Sequence, residues 1–131
     1  MSQSSTAWSV GAPVPRVAAV PVPEGLHLSE RTADRGDAPT VVIVHGAMDR
    51  STSFGRVDRN LAGLNVTRYD RRGYGKSIGL GIGSLDDHVA DLLAVIGSRP
   101  VTVFGHSIGG VVALMAAEQA PHLVQSVLAY E

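Results

Sequence analysis

The chain has 131 residues, 44% of them hydrophobic, with 11 basic and 12 acidic side chains, a formal net charge of −1 and no cysteine. That length and apolar fraction suit one folded domain with a real core, and the missing cysteines exclude a disulfide framework or a thiolate metal site. No run of Lys or Arg could neutralise a row of phosphates, so nucleic acid is not an expected partner.

Residues 1–15 are rich in Ser, Pro and Gly without periodicity and are expected to form a disordered tail ahead of a domain spanning 16–131. The start, Met1 to Trp8, carries no basic n-region, and Val17 to Val20 is too short for a signal core or a membrane span. A soluble, cytoplasmic protein with no membrane partner is expected. Two extended runs, Val17–Val22 and Leu26–Arg31, flank Pro23-Glu24-Gly25, which predicts an antiparallel hairpin. Pro21 and Pro23 would place it at a sheet edge.

Thr40 to Val44 is a continuous β-branched run of the kind buried on both faces of a parallel sheet. It ends in His45-Gly46-Ala47-Met48-Asp49, and a helix is predicted from about Ser51 to Ala62, with Phe54, Val57 and Leu61 on one face and Gly63 as its stop. Asn65 to Tyr69 forms the next predicted strand, running into Asp70-Arg71-Arg72-Gly73-Tyr74-Gly75-Lys76-Ser77. Ser84-Leu85-Asp86-Asp87 resembles a capping box, followed by a helix whose Leu85, Val89, Leu92, Leu93 and Ile96 share a face until Gly97. A strand from Val101 then turns through Gly105-His106-Ser107-Ile108-Gly109 into a helix ending near Gln119. That helix is apolar nearly all round, which predicts burial. Val124 to Tyr130 is the last predicted strand.

Strand–helix alternation from residue 40 onward predicts an α/β fold: a mostly parallel sheet flanked by helices on both faces and led by the antiparallel hairpin. In such sheets the site is built by loops leaving the C-terminal strand ends, here His45, Asp70, Gly105 and Glu131. Ser107 is the strongest candidate among them. A serine hydroxyl attacks a carbonyl only when it is held clear of the backbone beside donors that can receive negative charge. A glycine-flanked strand–helix turn does that holding.

The same G-x-S-x-G pattern occurs at Gly75-Lys76-Ser77-Ile78-Gly79, but glycines precede it and Leu80-Gly81-Ile82-Gly83 stands where a helix should begin. That turn is not expected to carry a nucleophile. A phosphate-binding loop fails there as well, because the glycine required five residues before Gly75 is Asp70.

The motifs His45-Gly46, Tyr69-Asp70-Arg71-Arg72-Gly73-Tyr74-Gly75-Lys76-Ser77 and Gly105-His106-Ser107-Ile108-Gly109, in this order, resemble the α/β-hydrolase superfamily over about residues 17–131. The resemblance implies a serine nucleophile at Ser107, with the backbone N–H groups of Ile108 and Ala47 as the oxyanion hole. It implies a small-molecule ester, amide or related carbonyl substrate, an acyl-serine intermediate, and no cofactor or metal. The family's catalytic histidine lies beyond its last strand, and no histidine here stands in that place. His122 is the only one after Ser107 and follows the helix. Glu131, at the end of the strand after the nucleophile, matches a position where some members put the catalytic carboxylate.

The chain is accordingly expected to be the N-terminal part of a longer hydrolase, an incomplete α/β-hydrolase fold, weak or inactive as it stands. Its final strand would expose Val127, Leu128 and Ala129 and favour self-association. A non-catalytic binding or association protein on the same scaffold is the alternative.

Overall fold

A computed structural model describes residues 20–131; the expected tail and Val17–Ala19 lie outside the described residues. Five strands form one sheet in the order β1-β3-β2-β4-β5: β1 (Leu28–Arg31), β2 (Thr40–Val44), β3 (Asn65–Tyr69), β4 (Val101–His106) and β5 (Val124–Tyr130). The helices are α1 (Gly55–Arg59), α2 (Leu85–Ile96) and α3 (Ile108–Gln119). Strands β2 to β5 pair in parallel, whereas β1 runs antiparallel to β3 with Leu28 opposite Tyr69.

The core follows from the two-residue period of β2, whose five residues are all buried. Val42 and Val44 point to one face, where Val101, Val103, Val89, Leu92 and Val112 of β4, α2 and α3 close over them. Val41 and Ile43 point to the other, against Val66 and Phe54, with Val57, Leu61 and Phe104 packed beside them. Both faces are therefore covered, as the unbroken β-branched run requires. Helix α2 opens with the expected capping box: Ser84 Oγ accepts from Asp87 N at 3.1 Å and Asp87 Oδ2 accepts from Ser84 N at 2.8 Å.

Three expectations need correction. The Pro23–Leu26 turn does form, closed by Leu26 N donating to Pro23 O at 3.1 Å, but Val20–Val22 make no strand. The antiparallel partner of β1 is β3, whose outer row of peptide groups would otherwise go unpaired.

The predicted helix from Ser51 to Ala62 is broken into a 3-10 turn, Ser51–Phe54, and the short α1. The carbonyl of Ser51, which a continuous helix would give to Gly55 N–H, is taken by Arg68 Nη1 at 2.9 Å. Helix α3 is not wholly buried, since Val111 is 42% and Leu114 54% exposed, on a side that no element of the described chain covers. The edge of β5 opposite β4 is likewise unpaired, and Leu128 and Tyr130 are exposed. Among the described residues no helix is long and apolar enough to cross a membrane.

Candidate active site

Ser107 sits between the last residue of β4 and the first of α3, exposed, with φ 56° and ψ −124°. A non-glycine residue at positive φ is held there only when its surroundings over-determine it. Three glycines and two hydrogen bonds do so. A methyl on Gly105 would meet Gly109 O at 2.5 Å and Gly110 Cα at 2.6 Å, so the helix start can fold back on the strand only over a bare Cα. A methyl on Gly109 would strike the carbonyl oxygens of Val44 and His45, which lets α3 sit directly on the end of β2. Gly110 lies against Ala129 of β5. The amide of Ser107 donates to Tyr130 O at 2.6 Å and its carbonyl accepts from Gly110 N at 2.8 Å.

Ser107 and Ile108 line an open, mainly apolar groove of about 590 Å³ together with Val111, Leu114, Tyr130 and Glu131. The nucleophile candidate, one oxyanion candidate and the carboxylate candidate thus share one concavity. Ile108 is the first residue of α3, so its N–H has no acceptor within the helix and lies at the positive end of the helix dipole. Ala47 does not line the groove. Its neighbour Gly46 nonetheless packs against the elbow so closely that a methyl there would lie 3.0 Å from His106 Nδ1 and 3.2 Å from Ser107 Cβ.

The histidines fall into distinct settings. His106 is stacked on Tyr130 at 5.5 Å and lies 6.0 Å from the Phe54 ring, its Nδ1 buried without a partner among the described residues. His45 is fully buried; its Nδ1 donates to Gly46 O at 2.7 Å and its Nε2 accepts from Arg71 N at 2.9 Å. His88 Nδ1 accepts from Arg71 Nη1 at 3.2 Å. Burial lowers the pKa of both His45 and His88, and the Arg71 charge adds to this, so each is held neutral. His122 follows the far end of α3, ahead of β5. No hydrogen bond joins any of these rings to Ser107 among the described residues.

Asp70 is a loop anchor. Its Oδ1 accepts from Ser51 N at 2.7 Å and its Oδ2 from Lys76 N at 2.9 Å. Burial opposes its charge, but the N–H groups of Ser51 and Lys76 outweigh it and hold the carboxyl below its ordinary pKa. Arg72 forms a two-point ion pair with Asp91, at 2.6 and 2.9 Å, which ties the same loop to α2.

Sequence reasoning passed over Arg71, which is only 2% exposed beneath the His45–Gly46 loop. Two adjacent arginines look alike as letters, and only the fold sends one to a carboxylate and the other inward. Tyr130 was also missed, since its part at the elbow is played by a backbone carbonyl.

Comparison with known proteins agrees with the fold. The family described as the alpha/beta hydrolase fold matches residues 39–129. The hydrolase YraK of Bacillus subtilis is 33% identical over 104 residues, covering 74% of this chain and 38% of that protein. The sn-1-specific diacylglycerol lipase ABHD11 of Danio rerio is 30% identical over 97 residues, covering 70% and 31% respectively. A monoacylglycerol lipase from Paleococcus ferrophilus superposes with a TM-score of 0.70 at 30% identity, over 79% of this chain and 42% of that one. The chain spans well under half the length of each of these relatives.

Proposed function

This chain belongs to the α/β-hydrolase fold family, and from that premise we propose that it carries the nucleophile and oxyanion hole of a serine hydrolase acting on a small ester, amide or related carbonyl substrate. In this proposal Ser107 Oγ attacks the carbonyl carbon, and the N–H groups of Ile108 and Ala47 receive the developing negative charge. The Ser107 proton passes to a base and from it to the leaving group, whose bond to the carbonyl carbon breaks as an acyl-Ser107 forms; water, giving its proton to the same base, then releases the acid and restores Ser107. Glu131 is the proposed carboxylate that orients the proton-accepting base. No cofactor or metal enters these steps.

The observation that carries the proposal is the exposed serine at φ 56° between Gly105 and Gly109, on a helix N-terminus in the groove. Two neighbouring facts support it. The groove is mainly apolar, which suits an acyl chain, and relatives named as mono- and diacylglycerol lipases share 30% of their aligned residues with this chain.

A fluorophosphonate probe, which phosphonylates an activated serine with loss of fluoride, tests it when followed by mass mapping. The probe is applied to this chain and to a form extended with downstream sequence, each alongside Ser107→Ala. Modification at position 107 in either form, absent from its Ala control, is the expected result. Modification of neither overturns the nucleophile assignment and favours the second reading, a scaffold that binds or associates without turnover. That reading is kept because none of the described histidines is hydrogen-bonded to Ser107. The unpaired edge of β5 is proposed as a surface for self-association, checked by sedimentation across a concentration series.

A further inference from the structure

Arg71 is buried to 2% exposure, yet among the described residues no carboxylate lies within ion-pair distance of it. A guanidinium in that position is costly, and one of its nitrogens, Nη2, has no partner among the described residues. What it does hold is the loop beside the elbow. Its Nε donates to His45 O at 2.9 Å and its own backbone N–H donates to His45 Nε2 at 2.9 Å. Nη1 reaches His88 Nδ1 at 3.2 Å, and the guanidinium carbon stands 4.7 Å over the ring of Tyr74. Tyr74 in turn meets the edge of the His45 ring at 5.4 Å.

These contacts have a consequence for one peptide unit. Because His45 Nε2 accepts a hydrogen bond, the ring proton must be on Nδ1, and Nδ1 donates to the carbonyl of Gly46 at 2.7 Å. The carbonyl of Gly46 and the N–H of Ala47 belong to the same trans peptide and point in opposite directions. Fixing one fixes the other. The Arg71 side chain meanwhile restrains the preceding unit through His45 O, so both peptide planes leading to Ala47 are set.

We propose that Arg71 is a positioning residue of the oxyanion hole: acting through His45, it holds the Gly46–Ala47 peptide so that the Ala47 N–H stays turned toward the carbonyl to be attacked. The inference rests on the assignment of Ala47 as an oxyanion donor. It adds to that assignment a buried cation held against His45 O, His88 Nδ1 and the Tyr74 ring. Loss of a single oxyanion donor slows reaction by on the order of 10²–10³-fold, which sets the scale of the expected effect.

The test compares the parent with Arg71→Met and Arg71→Lys, with far-UV circular dichroism to establish folding. Arg71→Met removes the charge and the fork, and Arg71→Lys keeps the charge without the two-point hold. The first readout is ¹H–¹⁵N correlation of the His45 ring and the Ala47 amide. The parent and both variants should give an Nδ1-protonated ring, since the backbone N–H of residue 71 is kept; the folded variants, which lose the side-chain bond to His45 O, should show a displaced or broadened Ala47 amide. The second readout is the rate of fluorophosphonate modification at Ser107, expected to fall by on the order of 10²-fold in Arg71→Met and less in Arg71→Lys. The proposal is overturned if a folded variant keeps the parent's Ala47 amide, or if it reacts at the parent's rate. Should the parent react neither as this chain nor in the extended form, the nucleophile assignment fails, and the magnetic-resonance arm alone still decides whether Arg71 orients the loop.

Discussion

The chain contains the pattern G-x-S-x-G twice, and the two copies have opposite fates. At Gly105–Gly109 the serine is exposed at φ 56°, and its backbone N–H and carbonyl are both engaged. At Gly75–Gly79 the serine is fully buried in a 3-10 helix; its Oγ donates to Asp70 O at 2.6 Å and accepts from His27 N at 2.9 Å. One turn spends its backbone contacts on presenting a hydroxyl, and the other consumes its hydroxyl in holding a loop. Five letters do not distinguish them. What precedes and follows does: a buried strand and an apolar helix in the first case, a string of glycines in the second.

The contrast can be broken most decisively by making the same substitution at both serines. Ser107→Gly is expected to abolish modification by a fluorophosphonate, whereas Ser77→Gly should leave the modification site in place; mass mapping reads both. Next in size is Gly109→Ala, whose methyl would press on Val44 O and His45 O. It should cost about 3 kcal/mol in urea unfolding, because backbone on both sides must give way. Ser77→Gly should lose about 1–3 kcal/mol, since Asp70 O and His27 N are left without their buried partner.

Ser107→Gly should move the other way, gaining about 1 kcal/mol as the positive-φ position is relieved of its side chain. Equal signs at the two sites would remove the distinction drawn between them. The smallest effect is that of mild acid. His45 and His88 are held neutral by burial, with Arg71 adding to it, so the unfolded chain binds protons more readily than the folded one as pH drops below the ordinary value of 6.5. Stability is therefore full above that value and declines through the weakly acidic range. A further decline is expected when Asp70, whose folded pKa is depressed, becomes protonated below its ordinary 3.8. Urea midpoints across a pH series check the direction.

The elements legible in the sequence are those whose signal is local and uninterrupted. The β-branched run of β2 and the valines and threonine of β4 marked those strands, the short extended runs Asn65–Tyr69 and Val124–Tyr130 marked β3 and β5, and Ser84 and Gly97 bracketed α2. The turn at Ser107 was legible because Gly105 is required by contact with the helix start that follows it, although Gly109 answers to the distant end of β2. What could not be read depended on distant partners. The Pro23–Leu26 turn suggested a hairpin, but the strand after it found β3 some forty residues downstream. The helix after His45 was interrupted by Arg68, a side chain on another strand. The His45–Arg71–His88 cluster joins three loops or helices and has no linear signature.

Glu131 follows Tyr130, whose carbonyl accepts the Ser107 amide, and it borders the serine's groove directly. Any polypeptide joined after it, whether an affinity handle, a fluorescent reporter or further natural sequence, therefore begins at the mouth of that groove. A handle fused there would be expected to shield the hydroxyl, so purification and reporter fusions intended to leave it accessible belong at the other terminus.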